Sequence, residues 1–288
     1  MKSQRFFCLI VLLVFLVQPL DAAGKTITVV HTNDLHSHLL GFSPNIDYTP
    51  LETGDDATVG GWARVASVIA EVKHNRTNPV LVLDAGDFLM GSLFHMLSRE
   101  EAFELRLMGV MGYDVVTLGN HEFDLRPAGL ARILSTAERF GRIPSIVLSN
   151  AVFSRESAAD DDLERIFARG VVRPYRIIEK DGIRIGLFGL MGKDAAEVAP
   201  FASPVTFEDP TAAARKMVEK LRGQERADIV ICLSHSGLAD DPGRSEDEIL
   251  AGKVPGIDII ISGHTHTKTD LRRVHDTLIV QALSLIHI

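Results

Sequence analysis

Short apolar runs, each closing on a knot of polar residues, punctuate the chain from residue 26 to residue 282. "KTITVVHTNDLHSHL" opens the series, with a β-rich stretch running into Asn33, Asp34, His36 and His38. "NPVLVLDAGD" ends in acid and glycine, and "YDVVTLGNHEFD", "ADIVICLSHSG" and "GIDIIISGHTHT" repeat the arrangement. Apolar runs this short, bounded by such breaks, predict buried strands. "IPSIVLSN" and "DTLIVQA" add two more. Between the strands, Trp62, Val65, Val68, Ile69 and Val72 recur at helical spacing, residues 92–110 read as a helix, and another reaches about residue 139. "FEDPTAAARKMVEKLRG" predicts a further helix, with Asp209 as cap and Pro210 in its first turn. In "YRIIEKDGIRIGLFGL" the pair Asp181-Gly182 predicts a hairpin. Residues 41–61 carry no period and predict a long loop. Alternating strands and helices give an α/β fold, and the hairpin argues against an entirely parallel sheet.

The first 23 residues follow another logic. Lys2 and Arg5 precede "FFCLIVLLVFLV", and "QPLDAAG" follows, which is the layout of a secretory signal peptide cleaved near Ala22 or Ala23. The apolar run is too short for a comfortable membrane span. Lys2, Arg5 and Asp21 would leave with the leader, taking the formal charge from -8 to -9. Export to the periplasm or the extracellular space is therefore expected. The remaining Cys232 would have no internal disulfide partner, so the core or a metal must stabilise the fold. At the other end, "LSLIHI" is what a common sequencing-library transposase adapter encodes in this frame. Residues 24–282 are accordingly expected to form the folded domain, 283–288 to be artefactual, and natural chain to be missing beyond.

With 46% apolar and 24% charged residues the composition is globular, and the acidic balance offers no broad grip on a nucleic-acid polymer. A bound metal could still reverse the field locally and admit an anionic small molecule.

The candidate chemistry lies in five strand-end clusters: Asp34 with His36, Asp87, Asn120 with His121 and Asp124, His235, and His264 with His266. One strand-end histidine is ordinarily a turn or core residue. Five clusters at equivalent strand ends are different, because acids and imidazoles gathered at a core edge are costly unless a cation repays their desolvation. In α/β folds such strand ends are also where ligands collect. Oxygen and imidazole donors suit two divalent ions, zinc or manganese, better than a thiolate site. Cys232, Met90, Met96, Met108 and Met111 read as core, Asp84 as a structural or supporting residue, His38 as a loop or supporting residue, and Glu122 as a helix cap or supporting group. Gly86, Gly119 and Gly263 read as tight turns. His31, His74, His95 and His275 carry no functional signal.

The order Asp-x-His, Gly-Asp, Gly-Asn-His-Glu, His, Gly-His-x-His resembles the calcineurin-like metallophosphoesterases. "HTNDLHSHL", "GNHEFD" and "GHTHT" look like the secreted 5'-nucleotidase and UDP-sugar hydrolase branch, and the resemblance covers residues 27–282. It implies a four-layer αββα sandwich of two mixed sheets. It also implies that Asp34, His36, Asp87 and His266 hold one metal, and that Asp87 bridges to a second completed by Asn120, His235 and His264. His121, oriented by Asp124, would act beside the metals. A metal-held hydroxide would attack phosphorus in a nucleoside 5'-monophosphate. The same centre would suit a UDP-sugar or nucleotide pyrophosphatase, a 2',3'-cyclic-nucleotide phosphodiesterase, a thiosulfohydrolase, or a metal-binding protein without turnover. The branch often has glycine soon after "NHEFD", where this chain reads "LRPAG".

Overall fold

The computed structural model describes residues 24–41 and 58–284. The expected leader, most of the expected loop and residues 285–288 lie outside the described residues. In chain order the elements are β1 (Thr28–Thr32), α1 (Trp62–Asn75), β2 (Val80–Asp84), α2 (Ser98–Glu101), α3 (Phe103–Met111), β3 (Val115–Thr117), α4 (Arg126–Phe140), β4 (Ser145–Val147), β5 (Ala151–Val152), α5 (Asp161–Ala168) and β6 (Val172–Arg173). They continue with β7 (Tyr175–Lys180), β8 (Ile183–Met191), α6 (Lys193–Glu197), β9 (Thr206–Phe207), α7 (Pro210–Glu219), β10 (Ile229–His235), α8 (Glu246–Lys253), β11 (Ile259–Ser262), β12 (Thr269–Val274) and β13 (Thr277–Gln281).

Two large sheets result. The first runs β1-β2-β3-β4-β6 with every pair parallel. The second runs β12-β13-β11-β10-β8-β7, parallel in its middle and antiparallel at both edges. Its β7–β8 edge is the expected hairpin, and both turn residues, Asp181 and Gly182, have positive φ, as the tight two-residue turn requires.

Successive residues of a strand face opposite sides, so a continuously apolar strand serves two cores. Leu81, Leu83, Val115 and Val147 of the first sheet meet Ile185, Leu187, Ile231, Leu233 and Ile261 of the second. On the outer face of the first sheet, Val82, Val116 and Ile146 pack with Ile69, Leu105, Met108, Leu130 and Leu134 of α1, α3 and α4. On the outer face of the second, Val230, Cys232, Ile260 and Ile279 pack with Ala213, Ala214 and Leu250 of α7 and α8. The result is an αββα sandwich whose apolar cores each gain about 1.5–3 kcal/mol per fully buried large side chain. Cys232 is a core residue, as expected.

Local signals held unevenly. Asp209 caps α7, its Oδ1 accepting the Ala212 N–H at 3.0 Å. The helix expected over 92–110 breaks at Ala102, which adopts φ 46°, and residues Leu93–Leu97 form a 3-10 turn instead. The break turns Glu104 inward, where its carboxylate accepts hydroxyl bonds from Ser37 (2.8 Å) and Ser98 (2.5 Å). It also lifts Met96 out of the core: that side chain is 69% exposed, whereas Met108 is buried.

Candidate metal centre

The parallel pairing of β1 and β2 continues beyond the strands. Ala85 donates to Thr32 O, Asp34 to Gly86 O, His36 to Asp87 O and Ser37 to Phe88 O. The two loops therefore leave the sheet side by side, carrying Asp34 and His36 alongside Asp87. In the second sheet, Gly192 donates to His235 O and Gly263 to Ser234 O, aligning the exits of β8, β10 and β11. Both sheets end at one rim, and the five sequence clusters meet there.

Backbone strain concentrates at this rim. Asp34, His36, Asp87, His264 and His266 all take φ between 48° and 77°, a left-handed conformation costing about 1–2 kcal/mol for a residue with a side chain. Such strain persists where surrounding structure overdetermines it, which is typical of functional sites. Glycine handles the tightest approach: Gly86 has φ 91°, and a Cβ on Gly119 would collide with Asp87 Oδ1 and the His235 ring.

The donor atoms fall into two groups joined by Asp87. In the first, His36 Nε2 lies 3.1 Å from His266 Nε2, and Asp34 Oδ1 lies 3.5 Å from His266 Nε2 and 3.9 Å from His36 Nε2. In the second, His235 Nε2 lies 3.1 Å from Asp87 Oδ2 and 3.1 Å from Asn120 Oδ1, which is also 3.1 Å from His264 Nδ1. Asp34–His36–His266, His36–Asp87–His121 and Asp87–His235–His264 each place their ligand atoms within 4.8 Å of one another.

Hydrogen-bond partners fix the imidazoles. His235 Nδ1–H donates to Ala85 O at 2.8 Å, leaving Nε2 to face Asp87 and Asn120. His264 uses the opposite nitrogen: Nε2–H donates to Asp194 Oδ2 at 2.8 Å, leaving Nδ1 facing Asn120. Lone pairs of imidazole, amide and carboxylate thus face each other at about 3 Å, an arrangement that requires a proton or a cation between them. This donor set fits oxygen- and nitrogen-binding divalent ions.

The same rim carries a histidine in a different setting. His121 Nδ1 bonds Asp124 Oδ2 at 2.6 Å, its backbone N–H donates to Asp87 Oδ1 at 2.8 Å, and its side chain is 39% exposed.

Comparison with known proteins agrees with this geometry. The profile of the family described as calcineurin-like phosphoesterase matches residues 27–268. The chain is a calcineurin-like phosphoesterase. The phosphoesterase is 33% identical over 277 residues to a trifunctional nucleotide phosphoesterase of Bacillus subtilis, covering 89% of this chain and 17% of that one. It is 33% identical over 251 residues to a probable 5'-nucleotidase of Treponema pallidum, covering 85% and 37%. The crystal structure of a 5'-nucleotidase precursor from Thermus thermophilus superposes with a TM-score of 0.71 at 30% identity, covering 90% of this chain and 49% of that one. The chain therefore spans well under two thirds of these relatives' lengths.

Ionisation in the phosphoesterase is set by burial against the shared carboxylate. Burial lowers His36 to about 4, against the pull of Asp87 and Asp34, so it is neutral at pH 7. Burial also disfavours charge on His235, but the charge and hydrogen bond of Asp87 outweigh it and carry the imidazole up to about 10. Burial opposes ionisation of Asp87, yet His235 holds it well below the usual carboxylate range. His121 rises to about 9, chiefly through its bond to Asp124.

Two residues outside the candidate ligand set matter here. Of the two readings open for Glu122, the supporting group holds and the helix cap does not: its buried carboxyl accepts the N–H groups of Asp87, Leu89 and Gly119 at 2.9, 3.0 and 2.5 Å. Its place in "GNHEFD" was the available signal. Asp194 gave none, standing 70 residues before the histidine it contacts. Asp84 is structural, accepting from Thr32 Oγ1 and the Gly86 N–H. His38 shapes its loop, donating from Nδ1 to His36 O. His95 lines a small cavity with Leu89, Met90, His121 and Asp124. In "LRPAG", Arg126 adopts φ 64°, so this chain puts a strained arginine in the left-handed conformation that glycine takes freely, with its guanidinium 5.1 Å from the Phe201 ring centre.

Proposed function

We propose that the protein is an exported phosphoric ester hydrolase that releases inorganic phosphate from nucleoside 5'-monophosphates with the help of two divalent ions, zinc or manganese. The observation that carries this reading is the pair of donor groups sharing Asp87, with His121 and Asp124 beside them. Asp34, His36, Asp87 and His266 would hold one ion, and Asp87, Asn120, His235 and His264 the other. Ions bound there would activate water and offset charge on the phosphoryl oxygens. Asp87 suits the shared place because its two oxygens already face different partners, Oδ2 toward His235 and Oδ1 toward the His121 N–H. Asn120 offers a neutral oxygen to both histidines of the second group without adding negative charge.

His121 holds a proton for the leaving 5'-oxygen. Its Nδ1 is occupied by Asp124, so Nε2 is the atom that meets substrate, and its partial exposure leaves that edge open. The nucleotide preference draws on the relatives named as 5'-nucleotidases, and the leader pattern in residues 1–23 supports export. A broader reading, extending to nucleotide pyrophosphates and 2',3'-cyclic nucleotides, draws on the Bacillus relative named a trifunctional nucleotide phosphoesterase.

The test is hydrolysis by the manganese-loaded chain of AMP, a UDP-sugar, a 2',3'-cyclic nucleotide and an aryl phosphate, followed as inorganic phosphate from the first and last, UMP from the second and a nucleoside monophosphate from the third. AMP is expected to give the highest kcat/KM. Faster turnover of the cyclic or pyrophosphate substrate would favour the broader reading. Metal uptake with no hydrolysis of any of the four would sink the enzymatic one.

A further inference from the structure

We propose that Asp194 is a positioning residue for metal binding, fixing the tautomer and the aim of His264; the inference rests on the second metal position assigned above. The two histidines of that position are held by unlike means. His235 is locked by a backbone carbonyl, Ala85 O, which no side-chain substitution at residue 85 removes. His264 depends on one side chain, Asp194, whose Oδ2 accepts from Nε2 at 2.8 Å. The His264 backbone is fixed, with φ 77° and its N–H donating to the Asp34 carboxylate at 3.1 Å, so what Asp194 adds is the hold on the far nitrogen of the ring. A carboxylate on the far nitrogen keeps Nδ1 unprotonated, makes it more basic and points it at Asn120.

Asp194 is itself built into place. It sits in the first turn of α6, where Glu246 accepts the Lys193 N–H (2.8 Å) and the Asp194 N–H (2.9 Å). Gly192 just ahead donates to His235 O, and a Cβ there would come within 2.5 Å of Ser236 Cα. The start of α6 is therefore pinned to the end of β10, so the carboxylate is referenced to the other histidine of the same position. Lys193, the cation beside it, pairs instead with Asp209 at 2.9 Å and leaves Asp194 to His264. Asp194 is 66% exposed, so solvent screens part of its charge and the expected effect lies toward the lower end for such partners.

The experiment is calorimetric titration of Mn2+ into the wild-type chain, Asp194→Ala and Asp194→Glu, with melting temperatures recorded in EDTA. The wild type is expected to take up two ions. Asp194→Ala should weaken one of them by about tenfold or somewhat more, leave the other unchanged and keep the EDTA melting temperature. Asp194→Glu should recover most of the loss. Unchanged affinities in Asp194→Ala overturn the proposal, as does a fall in both affinities together with the EDTA melting temperature, which would mark α6 as merely structural. A wild-type chain that takes up a single ion overturns the metal assignment itself, and this inference with it.

Discussion

Glu122 Oε2 accepts the Asp87 N–H at 2.9 Å, while Asp87 Oδ1 accepts the N–H of His121, the residue just before Glu122, at 2.8 Å. The two carboxylates cross-tie the loops that follow β2 and β3. Each thereby fixes a backbone that carries the other's functional neighbours.

That strap predicts a stability effect. Glu122→Ala leaves three buried N–H groups without partners in a site closed to water. A loss of about 3 kcal/mol or more is expected, read as a shift in the denaturant midpoint in EDTA. Glu122→Gln keeps one accepting oxygen but turns an NH2 toward the remaining N–H, so its loss should be smaller than that of alanine. A Glu122→Ala midpoint equal to wild type would remove the strap from the account.

His121 and Asp124 predict a change in rate without a change in metal content. His121→Ala should retain both ions while kcat falls by about a hundredfold or more. If an ion is lost, the residue is a ligand and the proton-delivery role fails. The pH profile carries a sign. Asp124 is the main cause raising His121 to about 9, and the imidazolium is the form that donates, so kcat should fall as pH rises through an alkaline limb. Bound cations disfavour a nearby imidazolium and set that limb at or below pH 9. Asp124→Asn removes the raising interaction and should move the limb to lower pH. A limb that stays put would detach Asp124 from the titration.

Much of this arrangement is legible in the sequence because it lies at strand ends. "VLVLDAGD" and "IVICLSH" encode both the buried strand and the donors that follow it, and pairing of neighbouring strands brings those donors to one rim. The helix expected over 92–110 failed for a reason that periodicity does not encode. A single left-handed residue, Ala102, lets Glu104 reach the Ser37 hydroxyl, a contact 67 residues away in the chain. Asp194 was invisible for a related reason. It looks like an ordinary first-turn acid of a short helix, and only the juxtaposition of β8 and β11 across β10 gives it a histidine to hold. For Glu122 the sequence leaves a helix cap and a supporting group open, since acid three residues into a turn commonly caps a helix; its reach back to the preceding strand exits decides for the second.

The Asp87–His235 pair makes the last prediction, which concerns metal affinity. The protein's own groups carry His235 up to about 10, because Asp87 outweighs the burial that would lower it. At pH 7 its Nε2 therefore bears a proton, and an ion binding that nitrogen must expel it. His36, held near 4 by burial, is already neutral and has none to release. Titration calorimetry at pH 7 in two buffers of different ionisation enthalpy should show about one proton released from His235 as the second position fills. The sign follows directly: a group protonated in the free site and unprotonated in the complex makes affinity rise with pH. The rise should approach tenfold per unit between about pH 6 and 9 and level off above 10. Affinity at that position that stays flat from pH 6 to 8 would mean that His235 is not the nitrogen the ion takes.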